Sequence, residues 1–169
     1  FTVFRHDPED PTSLGHNSVI ALMQDSAGQI WIGTWGGGLN RYDPQTGRFT
    51  RFEPDAANPG ALSHGVVTGL LQTSDGTIWV GTLGGLDRFD PATGGFTHFR
   101  HDPADATSLS ADAVSTLYED ASQRLWVGTG AFGTPGAGLN LFDPTRGGFV
   151  HFQHDPTNPN SLAGDNVSA

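Results

Sequence analysis

Histidines and carboxylates are the residues with reactive potential in this 169-residue sequence, which has seven His, eighteen Asp or Glu and no Cys. His6, His101 and His154 each precede Asp-Pro, and Pro54 takes the equivalent place in a further copy of the pattern. A metal needs ligands that converge on one ion. Residues that recur once per structural unit are held apart, so His-Asp-Pro predicts loop architecture. In it Asp7, Asp55, Asp102 and Asp155 accept local backbone N–H bonds as Asx turns. His16 and His64, together with Asn17 and Asp112, are better placed to meet a ligand, because they stand just ahead of an apolar strand pattern.

Catalytic spacings are missing from the sequence. There is no G-x-S-x-G, P-loop or H-E-x-x-H, and no D-x-[DN]-x-[DN]-G calcium loop. The Gly run 36–38 has no helix after it to cradle a phosphate and reads as a turn between strands. No carboxylate forms a repeat-breaking pair that would suggest acid–base work. The expectation is a segment without enzyme activity, metal or cofactor.

What positions these residues is a repeat. Gln29-Ile30-Trp31-Ile32-Gly33-Thr34 returns as Thr77-Ile78-Trp79-Val80-Gly81-Thr82 and as Arg124-Leu125-Trp126-Val127-Gly128-Thr129, its tryptophans 48 and then 47 residues apart. Gly38-Leu39-Asn40-Arg41-Tyr42-Asp43-Pro44 recurs twice downstream, and each copy is followed by an F-x-x-F pair: Phe49/Phe52, Phe96/Phe99 and Phe149/Phe152. Phe1/Phe4 is the same element from a preceding copy, and Val167 begins a fourth apolar pattern.

Each copy supplies four short strand candidates with Gly- or Pro-containing turns between them, and helical periodicity is absent. In the first copy these candidates span 18–24, 29–34, 38–42 and 49–52. A four-stranded antiparallel meander recurring every 47 to 53 residues predicts an all-β fold, a β-propeller. The predicted organisation is an outer strand of a preceding blade at 1–4, blades at 18–52, 66–99 and 113–152, and the start of a following blade at 165–169. Starting and ending in mid-blade, the sequence reads as a fragment of a larger ring. Head-to-tail closure by several copies is the alternative.

In such a meander the tight turns lie at one end of each sheet, and the irregular loops lie at the other. The third copy is lengthened by an insertion at 130–137. Trp35, Leu83 and Phe132 fall at or near corresponding loop positions and differ in type, as a recognition surface would. The candidate ligand-binding set is therefore Trp35, His16, Asn17, His64, Asp112 and Phe132.

Composition narrows the partners. The formal net charge of −10 disfavours nucleic acid and anionic membrane surfaces, since neutralising phosphates takes clustered Lys and Arg. No apolar run is long enough to span a bilayer. With 24 Gly and 11 Pro, many short elements joined by tight turns are expected.

The pattern from Asp25 to Phe49, and again from Asp75 to Phe96, resembles the two-component regulator propeller repeat, and the F-x-H-D-P-x-x-P-x-S-L segments are similar to its interblade connections. Blade two departs by shortening the loop to Gly84-Gly85-Leu86-Asp87. Blade three departs by its insertion and by Gln123, which stands where a turn glycine is expected. The resemblance implies a periplasmic or extracellular sensor propeller, often seven-bladed. Its parent would be membrane-anchored and dimeric, would carry a histidine kinase or diguanylate cyclase output, and would bind a small molecule such as an oligosaccharide. The alternatives are a lyase of the streptogramin-inactivating kind, requiring His and acidic residues gathered at one end of the axis, and a passive protein-binding scaffold.

Overall fold

The repeated Ile/Leu-Trp-Ile/Val-Gly-Thr runs are rich in β-branched and aromatic residues, which suit a pleated, packed surface. In the computed structural model, which describes residues 1–168, each run is the second strand of a four-stranded antiparallel sheet. Blade one comprises β1 (Val19–Gln24), β2 (Ile30–Thr34), β3 (Leu39–Asp43) and β4 (Arg48–Phe52). Blade two comprises β5 (Val67–Gln72), β6 (Ile78–Thr82), β7 (Gly85–Asp90) and β8 (Gly95–Phe99). Blade three comprises β9 (Val114–Glu119), β10 (Leu125–Thr129), β11 (Leu139–Asp143) and β12 (Gly148–Phe152). Strands pair in chain order within each sheet. The first strands lie side by side, β1 against β5 and β5 against β9, as the inner edges of neighbouring propeller blades do.

Two sequence devices set the blade spacing. The glycine of each Trp-x-Gly-Thr run is a point of close approach: a Cβ on Gly33 would sit 2.7 Å from Val67 Cγ1, and one on Gly81 would sit 2.7 Å from Val114 Cγ1. The three-residue step of F-x-x-F places the two rings on opposite faces of the sheet. Phe52 thus packs beside Trp31 of its own blade and forward on Phe89 and Phe96, while Phe99 packs beside Trp79 of its own blade and forward on Phe142 and Phe149. The two interblade cores that result contain the buried Trp31, Val67, Val80 and Phe89, and the buried Trp79, Leu109, Val114 and Val127.

The expected outer strand at 1–4 and the expected strand start at 165–169 form no ladder among the described residues, and Ala169 lies outside them. A strand exists only through a ladder of bonds to a neighbour; Val167 N–H donates to Thr129 O and Asp165 O accepts from Gly138 N–H, which holds the C-terminal segment against blade three without building one. Phe4 nevertheless rests on Tyr42 and Phe49, the seat that Phe52 takes on Phe89 and Phe96 one blade later.

The long loops protect the sheets' outer edges, which would otherwise expose unpaired backbone groups. Phe49 N–H donates to Thr12 O, Phe96 N–H to Gly60 O and Phe149 N–H to Thr107 O, at 2.9, 2.9 and 2.7 Å. Each long loop therefore borders the fourth strand of the blade that follows it.

Candidate functional site

The two ends of the blades differ in what their polar groups are doing. At the turn end the carboxylates are committed. Asp25 accepts from Ala27 N–H and Gln29 N–H and takes the Trp31 indole N–H at 2.7 Å. Asp120 repeats this with Ser122, Arg124 and Trp126, and the Trp126 indole donor above all holds its carboxyl well below the usual Asp range. Gly28 and Gly76 close their turns at φ 83 and 88, a conformation that costs glycine little. Gln123 adopts φ 60 in the third copy, so a side chain is held in a region glycine prefers.

At the loop end, the His-Asp-Pro loops share one internal scaffold. In the loops beginning at His6, His101 and His154 the imidazole Nδ1 meets a carbonyl oxygen of Leu14, Leu109 and Leu162 at 2.8, 2.8 and 2.7 Å. A carbonyl only accepts, so Nδ1 carries the proton. Asp7, Asp55, Asp102 and Asp155 accept the N–H two residues on, as Asx turns do.

The same loops engage two members of the candidate set. Asn17 Oδ1 accepts from His6 N–H at 2.8 Å, and Asp112 Oδ1 accepts from His101 N–H at 2.7 Å. These oxygens tie the loops shut. In the second copy Pro54 has no N–H to offer, and the position of the missing acceptor is Gly65. Sequence and bonding thus vary together within one chain.

His16 and His64 are arranged differently. Their Nδ1 atoms accept backbone N–H bonds from Ser18 and Val66, each at 3.0 Å. The neutral rings therefore carry their proton on Nε2, and among the described residues no hydrogen bond takes it. They flank the first blade's β2–β3 loop: a Cβ on Gly37 would lie 2.7 Å from the His16 Cβ, and Gly36 N–H donates to Gly65 O, beside His64, at 2.9 Å.

Trp35 projects from that loop. Its N–H donates to Ser18 O at 2.9 Å, and it forms a bridge with Val66 of blade two, yet its side chain stays 43% exposed. Phe132, 60% exposed on the blade-three insertion, meets it edge-to-face with ring centroids 4.8 Å apart. Aromatic candidates from blades one and three are thus brought together, although blade two lies between those blades. The backbone pattern also fixes their correspondence. Trp35, Leu83 and Gly130 make the same bond, to Ser18, Val66 and Ala113. Phe132 therefore stands two residues beyond Trp35's counterpart, on the inserted stretch.

One pair went unrecognised in the sequence. Asp87, fully buried, bonds His98 Nδ1 at 2.7 Å through one oxygen and accepts Ser63 N–H at 2.8 Å through the other; His98 Nε2 meets Pro59 O at 2.9 Å. It is a repeat-breaking carboxylate–imidazole pair, but with both imidazole nitrogens engaged it does not offer a free acid or base. The equivalents of Asp87 are Asn40, which accepts from Gly15 N–H at 2.7 Å, and Asn140, which accepts from Ser110 N–H at 2.9 Å. Loss of solvent on burial pushes the Asp87 carboxyl up, against the His98 hydrogen bond that lowers it. The available signal was the Asp at an otherwise Asn position, but its partner is opposite only once β7 and β8 are in register. Both His98 nitrogens face acceptors, so the pair pins the loop that presents His64.

Among the described residues no three His, Cys, Asp or Glu come together as a metal site, and no helix is long and apolar enough to cross a membrane.

Comparison with known proteins places this architecture. The two component regulator propeller family matches at residues 13–36, 61–84 and 108–131, one stretch per blade. No curated protein sequence matches the chain. Among solved structures, an extracellular domain assigned to a hybrid two component system of B. thetaiotaomicron superposes with a TM-score of 0.76 at 23% identity, over 92% of this chain and 21% of that one. A second extracellular domain of such a system from the same organism gives 0.69 at 25% identity, over 92% and 19%. The chain therefore spans about a fifth of the length of these neighbours. A virginiamycin B lyase from Staphylococcus aureus shares the fold at a TM-score of 0.57 and 16% identity, over 86% of this chain and 45% of the lyase. Each of the three blades thus carries its own copy of the two component regulator propeller repeat.

Proposed function

We propose that this chain is a ligand-sensing part of an extracytoplasmic receptor, and that its loop end binds a small molecule of the oligosaccharide class. The observation that carries the reading is Trp35, an exposed indole on a backbone fixed at both blade one and blade two. An aromatic face held in place favours the apolar face of a sugar ring, and nearby Nε2–H donors on His16 and His64 suit its hydroxyls. The extracellular neighbours support a location outside the cytoplasm; the proposal extends to a membrane-anchored, dimeric parent with a histidine kinase or cyclase output.

Calorimetric titration of the protein with a panel of neutral oligosaccharides tests this. A sugar that binds the parent protein and binds Trp35→Ala at least about tenfold more weakly supports the site; undiminished binding removes it. The lyase reading would draw on Asp87 and His98 as its acid–base pair. Against it, both His98 nitrogens are engaged, one by Asp87 and the other by Pro59 O.

A further inference from the structure

The insertion that carries Phe132 is built unlike the other two β2–β3-type loops. Its ends are anchored: Gly130 N–H donates to Ala113 O at 2.8 Å, Gly136 N–H to Asn166 Oδ1 at 2.7 Å, Ala137 N–H to Thr129 Oγ1 at 2.9 Å, and Gly138 N–H to Asp165 O at 2.8 Å. Between these anchors the hydrogen bonds among the described residues run within the loop, joining Ala131 and Thr134. At the tip the Phe132 ring packs on Trp35.

Phe132 also has φ 52, between Gly130 at φ 99 and Gly133 at φ 85. A bulky side chain in the left-handed region is strained, and such strain persists where the surroundings hold it and tends to mark clamps and switches. Here it is flanked by two glycines that can change their backbone angles at low cost. Trp35, by contrast, is bonded to two blades. One partner of the aromatic pair is fixed and the other is hinged.

We propose that residues 130–137 form a lid over Trp35, so that Phe132 and an incoming sugar ring compete for one indole and binding swings the loop outward. This rests on the glycan reading above and assigns Phe132 a role as gate rather than wall. The edge-to-face contact that a ligand must displace is of the size that changes affinity roughly two- to tenfold.

Two readouts test it. The first needs no ligand: acrylamide quenching of the fluorescence that is lost in Trp35→Phe reports how covered Trp35 is. Phe132→Ala is expected to raise that quenching, and unchanged quenching overturns the lid. The second is sugar titration of the same variant, with binding expected to tighten about two- to tenfold and to speed up. A variant that exposes Trp35 yet binds sugar more weakly makes Phe132 a wall of the site, which overturns the lid while leaving the glycan reading intact. Failure of the parent protein and the variant to bind any sugar overturns both the glycan reading and the competition. Deleting 131–136, which leaves a connection as long as blade two's, must give the same direction in both readouts.

Discussion

The turn end and the loop end of these blades are built from the same strands, but their side chains are spent differently. At the turn end, Asp25 and Asp120 are used on neighbouring N–H groups and on the indoles of Trp31 and Trp126. Glutamine and glutamate also reach between blades: Gln72 accepts Ser26 N–H at 2.7 Å, and Glu119 accepts Ser74 N–H at 2.8 Å. At the loop end, Trp35 stays 43% exposed with only the Phe132 ring against it, and the Nε2 atoms of His16 and His64 have no hydrogen-bond partner among the described residues. A polar group bonded within its own turn lowers the energy of the fold and has little left for a ligand. Order alone does not separate a scaffold from a site; the presence of unspent valence on fixed backbone does.

Substitutions should separate the two ends into effects on stability and effects on binding. The largest loss is expected for Trp79→Ala, which removes a side chain 4% exposed from the second interblade core and should cost about 3–5 kcal/mol in denaturant unfolding. A loss under about 1 kcal/mol would mean the blades do not pack as described.

Next is Asp87. Asp87→Ala leaves His98 and the Ser63 N–H without their acceptor and should cost about 3 kcal/mol, whereas Asp87→Asn should recover most of it, as Asn40 and Asn140 serve in the other blades. This pair also gives a pH test. Thr93 lowers Asp90, Thr145 lowers Asp143 and the Trp126 indole lowers Asp120, in each case by hydrogen bonding the charged carboxylate. Their stabilisation is present above the ordinary Asp value of about 3.9 and is lost as pH falls below it. Asp87, raised by burial, has the opposite sign: its contribution is present below about 3.9 and is lost as pH rises through the raised value. Removing that opposing contribution in Asp87→Asn should steepen the acid loss of stability, measured as unfolding midpoint against pH. A shallower acid limb would contradict the assignment.

A smaller effect in the opposite direction is expected at the turn end. Gln123→Gly relieves a side chain held at φ 60 and should stabilise by up to about 1 kcal/mol, part of the gain being offset by the greater freedom of the unfolded glycine. At the loop end, Trp35→Ala should change stability by less than about 1 kcal/mol while removing sugar binding, because its side chain is 43% exposed. A large stability loss there would move Trp35 from the site into the scaffold and erase the contrast.

The blades were legible because burial repeats. Trp31, Trp79 and Trp126 with their β-branched neighbours need a sheet on either side, and F-x-x-F points one ring each way, so local pattern and interblade packing carry the same information. The Asx turns were legible for a similar reason: an Asp and the N–H two residues on lie within one short segment. Asn17 and Asp112 read as ligand candidates because a polar residue at a strand entrance looks the same whether or not its oxygen is taken. Their partners, His6 and His101, lie eleven residues earlier and come into reach only when the loop closes.

The sequence by itself determined the meander, the turn chemistry and the repeat spacing of the three blades in this chain, since each follows from spacing and from forces acting over a few residues. Only the tertiary structure decided that Trp35 of blade one meets Phe132 of blade three, that Asp87 finds His98 across a strand, and that His16 and His64 carry their proton on Nε2. Those facts depend on where separate segments come to rest beside one another. That position is set by the packing of whole blades, which no single stretch of the chain encodes.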